Sequence, residues 1–216
     1  MVTLTVDQLR TICPRLRLEQ AQFWVPALNA AAAQFDINAT GDRFAAWLAQ
    51  CAQESDAFTA ARESTYYTTV ERIRKVFART HRFTDAQIKP YVKNSIGLAN
   101  WIYAGMLGNG NEASGDGYAY RGGGIIGVTG RANFRDTARL IAQPLEQQPV
   151  LIERPDVSAL AAAAWWHTHK LNDKADALEG DAETKAITLV VNGGYNGLAN
   201  RIEFARRAHV AFGLKS

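Results

Sequence analysis

A chain of 216 residues, 47% hydrophobic and 21% charged, is long and apolar enough to bury a core as one domain, or one domain with a smaller lobe, which excludes a disordered class. Its formal net charge of +3 is mild. The densest basic stretch (Arg72, Arg74, Lys75, Arg79, Arg82) could favour an anionic polymer, but it falls short of a basic tail and reads first as a solvated helix face. The segment MVTLTVDQLRTICP is amphipathic rather than continuously apolar, so no signal peptide is expected, and no stretch approaches the ~20 apolar residues of a membrane helix.

Helical periodicity dominates the elements. Thr5-x-x-Gln8 has the capping-box pattern and opens a short helix that ends before Pro14. Leu18 to Phe35 reads as a longer helix in which Pro26 marks a kink or a break. The next starts near Thr40 to Asp42 and runs to about Glu54 or Phe58. Thr68-x-x-Glu71 and Thr84-x-x-Gln87 cap two more, followed by Ile96 to Ala104. Between Gly105 and Gly124 lies an irregular stretch, GMLGNGNEASGDGYAYRGGG, and glycine-rich loops of that length inside compact domains are usually functional. Ile125 to Thr129 leans toward β, enough for a small hairpin or ribbon at most. Helices are expected again over Arg131 to Ala142, Pro155 to Lys170 with its proline in the first turn, Asp181 to Asn192, and Leu198 to Phe212. Gly193-Gly194 supplies a C-terminal stop before the last of these. The expected fold is mainly α, one catalytic domain over residues 1–216, with no repeat, linker or second-domain boundary in view.

One carboxylate sits in an unusual place. In RFAAWLAQCAQESDAF the apolar residues Phe44, Trp47, Leu48, Cys51 and Phe58 recur at three- and four-residue steps, and Glu54 falls on the same stripe. Either Glu54 faces the interior, where burial favours the protonated form that a general acid needs, or it sits at the helix end, partly exposed or paired with an arginine. Periodicity leaves both readings open. A general acid for hydrolysis works with a second group that activates water or stabilises a developing cation. Glu63 lies just past the helix in ARESTYYTT, among hydroxyl and aromatic side chains of the kind that bind sugars. Asp56 and Glu71 are rivals: Asp56 is rotated about 200° from Glu54 on an ideal helix, and Glu71 is explained as a cap.

Other chemistries lack support. Cys13 and Cys51 make no metal spacing and no redox motif, so a reduced pair is expected, though one disulfide stays open. His167-Thr-His169 has i, i+2 spacing, which diverges on a helix, and no metal site is expected. GDGYAYRGGG lacks the lysine of a phosphate loop, so no nucleotide or other cofactor is expected.

Three segments, FAAWLAQCAQESDAF, YRGGGIIGVTGRANF and VNGGYNGLANRIEFARRA, together resemble the family 19 glycoside hydrolases, particularly their lysozyme-like endolysin branch. The match runs in order from about Phe44 to Ala208. The resemblance implies a helical chitinase/lysozyme-like fold with a cleft between lobes. It implies that Glu54 is the general acid, that Thr129 helps to hold the attacking water, and that Asn133 and Asn192 line the substrate cleft with Arg201 near its carboxylates. Tyr66 and Tyr120 join the expected substrate-binding set. Plant chitinases of the family place the second carboxylate about where Val76 and Phe77 lie, whereas the endolysin branch has a glutamate near Glu63, which is therefore the choice here. Two departures stand out. Gly123 replaces the usual arginine and Gly127 the usual sugar-binding glutamine, which argues against ordinary chitinase specificity.

The implied activity is that of a phage endolysin. Such an enzyme hydrolyses the β-1,4 bonds of peptidoglycan with inversion, works as a monomer, and binds neither nucleic acid nor membrane stably. It would wait in the host cytoplasm until the membrane is permeabilised and then lyse the wall, with no separate wall-binding domain. A chitinase, a lytic transglycosylase and a non-catalytic saccharide-binding protein are the alternatives.

Overall fold

The computed structural model describes residues 1–78 and 82–214, which places Arg79 of the basic stretch and His81 outside the described residues. Helices and turns account for all regular structure among the described residues, and no strand is formed. No helix among them is long and apolar enough to cross a membrane. The chain builds two compact units, one from residues 1–61, 124–127 and 151–216, the other from 62–123 and 128–150.

The first unit contains α1 (Val6–Ile12), α2 (Leu18–Gln34) and α3 (Gly41–Glu54). Thr5 and Gln8 cap α1 reciprocally, at 2.8 and 3.2 Å, as their spacing predicts. Pro26 neither breaks nor ends α2, which runs unbroken from Leu18 to Gln34. An interior proline costs about 3 kcal/mol or more. Here the inner face around Trp24, Leu28, Ala31 and Ala32 is buried. It packs on a later helix of this unit, α9 (Pro155–Thr168), whose alanines let the two backbones approach. That buried face offsets the lost hydrogen bond.

Helix α3 starts at Thr40, whose side chain accepts from Arg43 N at 3.2 Å, and stops at Glu54. The apolar stripe continues to Phe58, but the helix does not. Ser55 donates to the Cys51 carbonyl at 2.7 Å and accepts from Phe58 N at 2.9 Å, while Asp56, Ala57 and Phe58 all take positive φ. This tight turn still buries Phe58, its ring 5.4 Å from that of Trp24 and its carbonyl bonded to the Trp24 indole. Asp56 therefore lies beyond the helix, exposed and 3.2 Å from Arg15, so the helical rotation argument does not apply to it.

After α9 come α10 (Leu171–Ala177), which the periodicity did not reveal, α11 (Gly180–Asn192) and α12 (Leu198–Phe212). Gly193 ends α11 in the left-handed conformation. Helix α12 packs against α3 and α1, and Gln8 donates to the Ala211 carbonyl at 2.9 Å.

The second unit contains α4 (Val70–Phe77), α5 (Asp85–Ile88), α6 (Ser95–Ile102), α7 (Asp116–Ala119) and α8 (Arg131–Ile141) around Ile73, Ile88, Leu98 and Ile102. Thr69, not Thr68, caps α4, accepting from Arg72 N at 3.2 Å. That places Glu71 in the first turn beside the positive end of the helix dipole rather than in a capping box. The glycine-rich stretch is pinned rather than free: Asp116 accepts from Gly110 N at 2.9 Å, and Asn109 joins the Tyr103 carbonyl to Arg131 N. Gly117 sits directly on α6, where an added Cβ would fall 2.6 Å from Asn100 Cα. No ribbon forms over Ile125 to Thr129; Gly123 makes single backbone bridges to Arg62 and Val128 instead.

Candidate active site

In the first unit, the end of α3 presents Glu54 to a buried guanidinium. Arg201 on α12 is 1% exposed and donates from Nη2 to Glu54 Oε1 and from Nη1 to Gln50 Oε1. Gln50, one helical turn before Glu54, donates to Thr188 Oγ1 on α11 at 3.3 Å. Thr188 in turn donates to the Thr184 carbonyl at 2.6 Å. A buried charge is unfavourable by several kcal/mol unless paired and hydrogen-bonded, on the order of what this set of partners supplies. The Glu54 side chain keeps 26% of its surface. Of the two readings of Glu54, the helix-end carboxylate paired with arginine is the one found. One oxygen is fixed by Arg201, and Oε2 has no protein partner among the described residues. A carboxyl oriented through one oxygen and accessible at the other is placed to exchange a proton with an incoming group.

Neither cysteine competes for this chemistry. Both are free and buried; burial pushes the Cys13 thiol up to about 12, and burial and then the Glu54 charge hold Cys51 well above the ordinary thiol range. Both remain thiols at neutral pH, and thiols are poor nucleophiles. Asn192 is exposed at the last position of α11. Three residues on, the half-exposed Tyr195 ring has the Lys185 ammonium 5.4 Å from its centre.

The second unit holds the other carboxylate. The Tyr103 hydroxyl donates to both oxygens of Glu63, at 2.9 and 3.0 Å, and Gly122 N donates to Oε2 at 3.2 Å. Glu63 N donates to the Gly122 carbonyl at 2.8 Å, so the backbones hold each other as well. Burial, and then the Glu63 charge, push the Tyr103 phenol well up, which keeps it a donor. Thr129 also lies beside Gly122: a Cβ there would be 3.3 Å from Thr129 Oγ1 and 3.4 Å from Glu63 Oε2. The hydroxyl and the carboxylate thus flank one glycine, an arrangement suited to gripping a water molecule.

The remaining expected residues of this unit fall differently. Tyr66 is 54% exposed. Tyr120 is buried, edge-on to Phe134, with its hydroxyl donating to the Glu146 carbonyl at 2.7 Å, so its ring belongs to the core and is not a sugar platform. Asn133 donates to the Thr129 carbonyl at 2.7 Å and so fixes the backbone of Thr129. Sequence reading missed Gln50, Thr188, Tyr103 and Tyr195. Gln50 carried a signal, a polar residue among the buried positions of α3. Tyr103 carried none, since forty residues separate it from Glu63.

No model of a known protein family matches the chain. A "Glycosyl hydrolase family 19 domain-containing protein" of Haemophilus influenzae is 32% identical over 165 residues, which span 75% of this chain and 76% of that protein. Among solved structures, a chitinase C mutant aligns with a TM-score of 0.59 at 14% identity, covering 98% of this chain and 77% of that one. Chitinase C from Streptomyces griseus aligns with a TM-score of 0.56 at 16% identity and the same coverage. At such identities the two structures establish a shared fold, the mainly helical chitinase/lysozyme-like one.

Proposed function

The chain belongs to glycosyl hydrolase family 19, and we propose that within this family it is an endolysin that hydrolyses the β-1,4 bonds of peptidoglycan. Its being a glycoside hydrolase follows from the family; the wall substrate and the lytic role are the proposed step. The observation that carries the catalytic assignment is Glu54 held at one oxygen by the buried Arg201. In the proposed reaction Glu54 protonates the leaving glycosidic oxygen. Glu63, oriented by Tyr103 and assisted by Thr129, takes a proton from water as its oxygen attacks the anomeric carbon. One C–O bond breaks as another forms on the opposite face, and the configuration inverts.

Peptidoglycan is favoured over chitin because Gly127 carries no side chain where chitinases of the family carry a sugar-binding glutamine, and because Glu63 follows Glu54 at the endolysin-like interval. Asn192, Tyr66 and Tyr195 are proposed substrate contacts. The enzyme is proposed to act as a monomer, held in the host cytoplasm until the membrane is permeabilised. Chitinase activity is the second reading, since both solved structures are of a chitinase C.

The deciding experiment compares turbidity loss of outer-membrane-stripped Gram-negative cells with product release from chitin oligomers, and identifies the muropeptides by mass spectrometry. Lysis with hydrated products supports the proposal. Cleavage of chitin alone rejects it, and anhydro products would replace hydrolysis by transglycosylation.

A further inference from the structure

A cavity of about 800 Å³ opens in the first unit between the start of α3, the segment joining α10 to α11, and α12. Neither Gln50, Glu54 nor Arg201 lines it. Asp42, in the first turn of α3, is twelve residues from Glu54, roughly 18 Å along the helix. The cavity therefore lies apart from the candidate acid.

Its lining mixes two chemistries. Leu178, Ile202, Val210 and Leu214 are apolar, and five carboxylates, Asp42, Asp176, Glu179, Asp181 and Glu183, line it as well. The partners of the carboxylates are unequal. Asp176 is paired with Arg43, and Asp181 with Arg206 at 2.9 Å. Asp42 pairs among the described residues with His209 alone, at 3.9 Å. Glu183 is 3% exposed, and its Oε1 has no hydrogen-bond partner among the described residues. A buried carboxyl without a donor is destabilising by about 1–3 kcal/mol, so natural folds rarely keep one without use.

We propose that this cavity binds an organic ammonium ion bearing an apolar chain, with the ammonium at Glu183 beside Asp42 and the chain against Leu178, Ile202 and Val210. An ammonium brings both the missing donors and the missing positive charge, and its hydrocarbon suits the apolar lining residues. A bare metal ion is the poorer match, because no group of three ligating side chains converges among the described residues. An anion would meet the carboxylates. Burial, and then Asp42, Asp176 and Glu179, raise the Glu183 carboxyl to about 8. Glu183 therefore holds a proton at neutral pH that an arriving ammonium displaces into solvent. His209, Arg206 and Asp181 also face the cavity and set the background against which that proton is counted.

The test is titration calorimetry of the whole protein near neutral pH with hexylamine, hexanol and hexanoate, each in two buffers of different ionisation enthalpy. Hexylamine is expected to bind saturably with a Kd on the order of 1 mM or tighter, releasing up to one proton, with hexanol at least tenfold weaker and hexanoate not binding. Glu183→Gln is expected to weaken hexylamine at least tenfold, abolish the proton release and leave glycan turnover unchanged. Asp42→Asn, on the exposed rim, is expected to weaken binding severalfold and serves if Glu183→Gln fails to fold. Hexanol binding as tightly as hexylamine, no saturable binding, or indifference to both substitutions overturns the proposal. Because the binding and proton-release readouts involve no glycan, the proposal stands or falls separately from the endolysin assignment.

Discussion

The guanidinium of Arg201 is buried against the carboxylate of Glu54, although 147 residues separate the two in the chain. Removing the carboxyl group and replacing it by an amide are therefore different perturbations. Glu54→Ala leaves a buried cation short of a partner and is expected to lower unfolding free energy by about 3 kcal/mol. Glu54→Gln keeps an acceptor for Arg201 and is expected to unfold at a urea midpoint close to wild type, while turnover falls by about 10² to 10⁴. Urea melts and lysis assays on the two variants check the pair. Full activity in Glu54→Gln would remove the acid from the mechanism.

Tyr103 touches both oxygens of Glu63, and in the proposed reaction it acts through that carboxylate. Hydrogen bonds to charged groups contribute about 1.5–3 kcal/mol, and about 1.4 kcal/mol is tenfold in rate. Tyr103→Phe is expected to lower kcat tenfold or more and leave KM within about twofold. A purely structural tyrosine would instead show normal kcat in the folded fraction, which active-site titration against urea stability would reveal.

Gly122 separates Glu63 from Thr129 without a side chain. Gly122→Ala places a methyl group 3.3 Å from both Glu63 Cβ and Thr129 Oγ1. The two must part by a few tenths of an ångström, and small misplacements are enough to lower rates by an order of magnitude or more. Reduced turnover with nearly unchanged thermal stability is the expected result, measured by kinetics beside a melting curve.

Gly117 makes the opposite case. Its added Cβ would strike the backbone of α6 at Asn100 Cα rather than a movable side chain. Gly117→Ala is expected to destabilise by about 1–3 kcal/mol or more, by overpacking two helices that cannot separate. Chemical denaturation compared with Gly105→Ala, whose site is open but whose φ is +66°, distinguishes collision from backbone strain.

Glu183 ties stability to pH. Its folded carboxyl titrates at about 8 against an ordinary 4.5, so between these values the folded state holds a proton that the unfolded state has released. A raised carboxyl favours the folded state in acid, and that advantage fades as pH rises from 4.5 to about 8, levelling off above. Melting temperature is expected to decline over this window in wild type and to decline less in Glu183→Gln. Parallel pH profiles for the two proteins would remove Glu183 as the cause.

Much of this was legible in the residues. Capping boxes at Thr5 and Thr84, the stop at Gly193 and the stripe of α3 are local signals, set by chemistry within one or two turns. The failures were tertiary. Pro26 reads as a kink or a break until α9 is seen to hold α2 together, and of the two helix ends the stripe allows, Glu54 and Phe58, only the Ser55 turn selects Glu54. At the site, Glu54, Glu63 and Thr129 lay in recognisable segments, but the side chains that orient them came from elsewhere. Arg201 follows from the resemblance and Gln50 shows as a polar residue among buried positions of α3, whereas Tyr103 emerges only once the chain has folded. Tyr120 illustrates the converse, an aromatic in a motif that serves the core.

The interleaving of the two units sets a timetable for biosynthesis. The first unit needs residues 1–61 together with the segment from 151 onward, and the whole second unit is translated between them. At about 5–20 residues per second, the ribosome takes on the order of 5–20 s to cross that interval. Throughout it the apolar faces of α2 and α3, with Trp24, Phe44 and Trp47, lack α9 and α12. The nascent chain should accordingly be a client for chaperones in that window, and Glu54 gains its arginine only once translation has passed residue 201.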